Sequence, residues 1–328
     1  MKKILEIKNL TTQFEMEDYL IKAVDEVDLT LHSEETLGIA GESGCGKSVL
    51  SLSIMGLLPM PPGKITQGEI LYQGENLLTY KPERMRTIGG KEIAMIFQEP
   101  MTSLNPLLKT GEQIAEALIQ HKDMDKHQAW EKTIELLDSA GIPGARERAQ
   151  EYPFQFSGGM RQRVMIAMAI ACDPRVLIAD EPTTALDVTI QSQILRLLDS
   201  LKQKINSSLL FITHDMAVMA GFADRIIVLY AGKVMENASV TDLFKNPLHP
   251  YTQGLLKCIP LLGENKYNDR GKIRYLHSIK GNLPDPRHFP KGCPFEPRCP
   301  FAMGRCQEAV PPLLLVEKAH EVRCYLHE

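Results

Sequence analysis

The run Gly41-Glu42-Ser43-Gly44-Cys45-Gly46-Lys47-Ser48 constrains this chain more than any other stretch. It follows the short apolar segment Thr36 to Ala40, which predicts a buried strand. It precedes Ser48 to Leu58, a stretch with helical character stopped by Pro59. A strand, a glycine loop and a helix in that order form a phosphate cradle. The glycines let backbone N–H groups wrap anionic oxygens at a helix N-terminus, Lys47 reaches the β- and γ-phosphates, and Ser48 offers a hydroxyl to Mg2+. The expected ligand is therefore ATP with Mg2+, bound by residues 41–48 together with Val49 on the first helical turn. Cys45 lies inside the loop, where a small side chain is tolerated, and is expected to have no catalytic role.

Further along, Val176 to Ala179 reads as an apolar strand that delivers Asp180 and Glu181 at its carboxyl end. Asp180 is placed to hold the Mg2+ shell and Glu181 to orient or deprotonate a water facing the γ-phosphate. An acidic pair at a strand end is weak evidence alone. Its weight comes from order: the glycine loop, Gln98 after the strand predicted over Glu92 to Gln98, Ser157-Gly158-Gly159 opening a helix to about Cys172, the acidic pair, and Thr213-His214-Asp215 after another strand.

The remaining pattern predicts strands over Ile4 to Leu10, Val24 to Leu31 and Leu209 to Thr213, and a helix over Ile190 to Lys204. Residues Glu112 to Ala140 have helical spacing and little β character, which predicts a helical subdomain over about 99–172. Helices alternating with apolar strands imply a mostly parallel sheet covered on both faces. From about Val240 prolines interrupt the pattern, so a second, loop-rich unit is expected over 241–328. A formal net charge of −4 argues against nucleic acid as a partner. No apolar run reaches the length of a membrane span and no signal peptide is evident, so the chain is expected to be cytosolic.

These motifs, in this order, resemble the ATP-binding subunits of ABC transporters over essentially the whole chain. The resemblance implies an α/β P-loop NTPase core of the RecA-like type, with an antiparallel β edge, the inserted helical subdomain and a small C-terminal extension. It makes residues 41–48 the Walker A loop, Gln98 the Q-loop glutamine and a Mg2+ ligand, and Ser157-Gly158-Gly159 the signature. Asp180 and Glu181 become the Walker B pair, Ala185-Leu186-Asp187 the D-loop and His214 the switch histidine. Phe14 is the candidate for stacking on adenine, with Tyr19 the alternative. Two positions depart from the pattern: Met160 stands where glutamine is common, and Phe156 where leucine is usual. The resemblance further implies that each Walker A loop is completed by the signature of a second ATPase subunit, a heterodimer being favoured.

Met101-Thr102-Ser103-Leu104-Asn105-Pro106 and Asn246-Pro247-Leu248-His249-Pro250-Tyr251-Thr252 narrow the likeness to the oligopeptide and dipeptide importers, of the OppD/DppD type. That family implies two transmembrane permease subunits, docked at Glu99 to Gly111, an extracytoplasmic substrate-binding protein, and a peripheral location on the cytoplasmic face of the membrane. Nickel importers share these segments. A soluble ABC ATPase acting on nucleic acid or ribosomes is the alternative from another class; the short interval without sustained heptads and the lone Walker A loop weigh against it.

The tail carries Cys293-x5-Cys299-x6-Cys306-x17-Cys324. Four cysteines supply a complete thiolate set for iron-sulfur or zinc, and Arg298, Arg305 and Arg323 beside three of them are expected to favour thiolates. The spacing resembles the C-terminal motif associated with a 4Fe-4S cluster in peptide-importer ATPases; zinc, a disulfide or free thiols are the alternatives.

Overall fold

A computed structural model describes residues 2–184, 186–260, 277–317 and 319–328. The first two strands, β1 (Lys3–Glu15) and β2 (Leu20–His32), pair antiparallel with each other, and β1 also pairs with β4 (Gly63–Tyr72), which carries the short β5 (Glu75–Asn76). These four strands make a sheet of their own. Between them in sequence lie β3 (Thr36–Ala40) and helix α1 (Lys47–Met55), the two sides of the glycine loop. Helix α1 stops earlier than Pro59 suggests, because Gly56 takes a left-handed conformation and caps it.

Strand β3 belongs to an eight-stranded sheet. Its parallel neighbours are β8 (Ser208–Ile212) and β9 (Arg225–Tyr230); β7 (Val176–Asp180) and β6 (Ile93–Ile96) extend the parallel part beyond β8. Along β8 the side chains alternate between two cores, as a doubly covered strand requires. Leu209 and Phe211 share a core with Ile114, Leu137 and Met165, whereas Leu210 and Ile212 pack with β3, α1 and the antiparallel sheet. Each such side chain contributes about 1.5–3 kcal/mol through burial.

Helices α2 (Pro82–Ile88), α3 (Pro100–Ser103), α4 (Thr110–Lys122), α5 (Lys126–Ser139), α6 (Ala145–Arg148) and α7 (Gly158–Ile170) fall between β5 and β7. Ile114, Leu118, Leu137 and Met165 give α4, α5 and α7 a shared core. Asp125 starts α5 by accepting from the N–H groups of His127 and Gln128. Helix α8 (Val188–Lys204) and α9 (Met216–Phe222) flank β8 in sequence.

The residues after Val240 join the main sheet. Strand β10 (Lys233–Ser239) pairs with β9, and after α10 (Val240–Lys245), α11 (Pro250–Lys257) and α12 (Gly304–Glu308) the chain returns as β11 (Leu314–Glu317) and β12 (His320–Val322), with β12 hydrogen-bonded to β10. A buried carboxylate fastens this return. Glu236 on β10 is fully buried; it accepts from the N–H groups of Leu248 (2.7 Å) and His249 (2.9 Å) and lies 2.8 Å from Nε2 of the buried His320. Burial alone would push the Glu236 carboxyl up, yet these partners, His320 foremost, hold it below the usual carboxylate range.

Removing this carboxylate with Glu236→Ala strands several buried donors, and we expect a loss of about 3–5 kcal/mol, read as a lowered Tm of the full chain. The pH dependence has a definite sign. A depressed folded pKa stabilises above the unfolded carboxyl value of about 4.3 and loses that contribution as pH falls through the folded value. Acid sensitivity in that window should therefore be weaker in Glu236→Gln than in the parent.

Candidate functional site

The glycine loop holds its shape through two close backbone approaches. A Cβ on Gly41 would lie 2.3 Å from the Leu229 carbonyl oxygen, and one on Gly46 would lie 2.1 Å from that of Ala23; both glycines also have positive φ. No side chain fits at either position. Lys47 is buried, and its Nζ donates to the carbonyls of Gly41 (2.8 Å) and Glu42 (3.0 Å). A cavity of about 190 Å³ opens here, lined by Ser43, Gly44, Lys47, Ser48 and Val49 of the loop, with Ala23, Gln98 and Glu181 facing them. Cys45 is buried, and desolvation pushes its thiol up, so it stays neutral and packs as a small apolar residue.

Glu181 is the hub of the opposite wall. Its backbone is in the left-handed region (φ 47°), which is uncommon for a non-glycine residue, and its N–H donates to Ile212 at 2.9 Å. The carboxylate gathers four side chains. Oε2 accepts from Thr184 Oγ1 (2.8 Å) and Gln98 Nε2 (3.3 Å) and lies 3.2 Å from His214 Nδ1, while Oε1 lies 3.9 Å from Lys47 Nζ. Glu181 is buried, whereas the His214 side chain is about half exposed (52 %). Residues distant in sequence thus converge on a single carboxylate next to the phosphate loop.

Asp180, the preceding residue, is buried beside serine hydroxyls and the charges of Glu181 and Lys47. Oδ2 lies 3.5 Å from Ser51 Oγ, and Oδ1 has no hydrogen-bond partner among the described residues. Burial first, and the Glu181 charge second, raise its pKa, while the Ser48 hydroxyl and Lys47 pull the other way. A buried, unpartnered carboxylate oxygen beside a serine hydroxyl suits a hard divalent cation, so the residues present fit Mg2+.

Ser157 caps α7, its Oγ accepting from Met160 N–H at 3.3 Å. Ser157 and Gly158 are exposed, and a Cβ on Gly159 would meet Ile190 at 3.0 Å. Residues 157–159 do not line the phosphate-loop cavity. Asp187 is exposed and caps α8 through the N–H groups of Thr189 (3.1 Å) and Ile190 (3.0 Å); Ala185 lies outside the described residues. Phe14 sits half-buried on β1 opposite Ile21 and Gly63, while Tyr19 is exposed with the Arg287 guanidinium 5.9 Å from its ring centroid. Neither aromatic lines the cavity.

Ala23 and Thr184 enter the site without any motif marking them. Ala23 lines the cavity and its carbonyl backs Gly46, a backbone contact that leaves no trace in residue type. Thr184 is signalled only by standing three residues after Glu181 in a turn.

The four terminal cysteines are all unpaired; Cys293, Cys306 and Cys324 are buried and Cys299 partly so. Cys293 N–H donates to the Cys306 carbonyl at 2.8 Å. Burial, rather than the neighbouring arginines, decides these thiols. Burial is the main effect on Cys293, Cys299 and Cys324 and raises all three thiols, Cys293 to about 12, with neighbouring cysteines adding to the rise. The arginines face elsewhere: Arg298 toward Glu42, Arg305 toward Glu328 and the Tyr325 ring, and Arg323 toward the carbonyls of Val234 and Pro311. As placed, the described residues contain no group of three or more His, Cys, Asp or Glu able to hold a metal ion.

Comparison with known proteins agrees with this geometry. Residues 24–184 match the family described as ABC transporter, and residues 235–306 match the one described as oligopeptide/dipeptide transporter, C-terminal region. The chain is 51 % identical to the oligopeptide transport ATP-binding protein AppD of Bacillus subtilis, over 100 % of this chain and 98 % of that protein. It is 47 % identical to the dipeptide transport ATP-binding protein DppD of the same organism, over 100 % and 96 %. Among solved structures, an ATP-binding cassette in a dimeric, post-hydrolysis state with ADP and Pi superposes with a TM-score of 0.65 at 31 % identity, covering 72 % of this chain and 99 % of that one.

Proposed function

The chain belongs to the ATP-binding proteins of the ABC oligopeptide and dipeptide transporters, and on that premise we propose how its residues turn ATP hydrolysis into peptide import. It is an ATPase coupled to transport, peripheral at the cytoplasmic face of the membrane, and among its described residues no helix is long and apolar enough to cross a bilayer. The observation that carries the chemistry is the convergence of Lys47, Gln98, Thr184 and His214 on Glu181.

In the proposed reaction the loop N–H groups and Lys47 hold the triphosphate of ATP. Glu181 accepts a proton from the attacking water, and His214 steadies both this carboxylate and the γ-phosphate. Mg2+ held by Ser48, Gln98 and Asp180 would neutralise charge on the phosphate oxygens. Gln98 links nucleotide to transport, because it leads directly into Glu99 to Gly111, the proposed docking surface for two permease subunits. Met101, Leu107 and Leu108 are exposed there, which supports an apolar partner. Phe14 remains the proposed adenine partner, on its half-buried place near the end of β1.

The exposure of Ser157 and Gly158 outside the chain's own cavity supports a composite site, in which they contact ATP held by a second ATPase, proposed to be a related chain rather than a copy. Asp187, exposed at the start of α8, is proposed to join that contact. Peptide is delivered by an extracytoplasmic binding protein. The test is reconstitution with the two permeases and the partner ATPase: ATP-dependent uptake of labelled peptide supports this reading, and ATP turnover without uptake contradicts it.

For Cys293, Cys299, Cys306 and Cys324 we propose a 4Fe-4S cluster, with zinc as the alternative metal. Support comes from the cysteine spacing and from four unpaired thiols, three of which act electrostatically on Cys293; loading would draw them together from their present places, and no step of ATP hydrolysis passes through them. Because burial raises the Cys293, Cys299 and Cys324 thiols, loading requires the metal's own charge to displace their protons, and uptake should strengthen as pH rises. Anaerobic purification followed by iron and acid-labile sulfide assays should return both; iron-free protein with stoichiometric zinc selects zinc, and metal-free protein removes the proposal.

A further inference from the structure

The phosphate loop is held from outside by the C-terminal extension. Arg298, in the turn just before Cys299, has a nearly buried side chain (5 % exposed) and donates from Nη1 to both carboxylate oxygens of Glu42, each at 3.0 Å, and to Tyr230 Oη at 3.3 Å. Its other nitrogens are occupied by the carbonyls of Lys280 (3.1 Å) and Ile279 (3.4 Å). Glu42 is the second residue of the glycine loop, and each of its polar groups is tethered. Its N–H donates to Tyr251 Oη at 2.9 Å, its carbonyl accepts from Lys47 at 3.0 Å, and its carboxylate meets Arg298. Tyr230, Tyr251 and Phe295 pack with ring centroids 4.6–5.3 Å apart, which fixes both tethers on one aromatic platform.

A carboxylate is an odd member of a loop that receives a polyphosphate. Left unpaired, its charge would repel the ligand at close range. We infer that Arg298 is a positioning residue of the nucleotide site: from the cysteine-bearing extension it neutralises Glu42 and holds the carboxylate away from the phosphates. The inference rests on reading residues 41–48 as the ATP phosphate loop. It assigns the extension a part in ATP binding, reached by a contact that spans 256 positions of sequence.

The test measures binding of a non-hydrolysable ATP analogue with Mg2+ to the full-length chain. Arg298→Met keeps the packed stem and removes the charge; its Kd should rise about tenfold. Adding Glu42→Gln to Arg298→Met should recover most of the loss, since the repelling charge is gone, with the Glu42→Gln chain measured beside it to close the cycle. A merely structural Arg298 would not be rescued in this way. Parent-like binding by Arg298→Met, or a double variant as weak as Arg298→Met, would overturn the role. Should Arg298→Met fail to fold, Arg298→Gln supports the same two comparisons. If the parent chain does not bind the analogue, or Lys47→Ala binds it unchanged, the nucleotide reading itself falls and the role of Arg298 falls with it.

Discussion

Glu181→Gln is expected to bind MgATP as the parent does and to hydrolyse it about 10²–10⁴-fold more slowly, the usual range for losing a positioned general base. The substitution preserves shape, and glutamine can still accept from Gln98 and Thr184, so the cavity wall should survive. What it removes is the negative oxygen that takes the proton from water. Because ATP is then held without being cleaved, the composite sites should stay closed and a nucleotide-bound dimer with the partner ATPase should accumulate. Single-turnover hydrolysis with light scattering checks both halves. Near-parent turnover would take the base role from Glu181 and leave its hydrogen bonds to Gln98, Thr184 and His214 as architecture.

Lys47→Ala should fail one step earlier. Its ammonium is buried and already satisfied by the carbonyls of Gly41 and Glu42, so the loop is built around it as well as around the phosphates. Truncating a buried, hydrogen-bonded charge costs about 2–5 kcal/mol, roughly 30- to several-thousand-fold in affinity. MgATP binding should fall by that order, and hydrolysis with it. The two variants therefore separate binding from chemistry on opposite walls of one cavity.

Much of the fold is legible in the sequence where both physical signals coincide. The strands at Thr36–Ala40 and Val176–Asp180 are short apolar runs bounded by turns, and buried parallel strands are built that way. Strands β1 and β2 extend well past their apolar stretches. Thr11 and Thr12 are buried there without being apolar, and beyond them Gln13 and Phe14 are only half-buried, so alternation fades while pairing continues. The C-terminal strands are harder still. His320–Val322 is only three residues, too short for periodicity to register, and its place in the main sheet is fixed by Glu236 rather than by pattern.

The same division holds at the site. Lys47, Ser48, Asp180 and Glu181 belong to local motifs whose spacing carries the chemistry. Thr184 and Ala23 contribute through turn geometry and backbone. Arg298 shows the limit most clearly: read in sequence it belongs to Cys299, and in space it belongs to Glu42. Adjacency along the chain says little about which charge a long side chain will meet once two distant segments pack.

The central claim is that this chain's phosphate loop powers peptide movement through partner permeases. It is tested most directly by labelled-peptide uptake into proteoliposomes holding the permeases, the partner ATPase and either the parent chain or Lys47→Ala, with binding protein on the side opposite ATP. The expected result is ATP-dependent uptake with the parent chain and its loss with Lys47→Ala. Equal uptake by the two, or ATP turnover by the parent with no peptide moved, would contradict it.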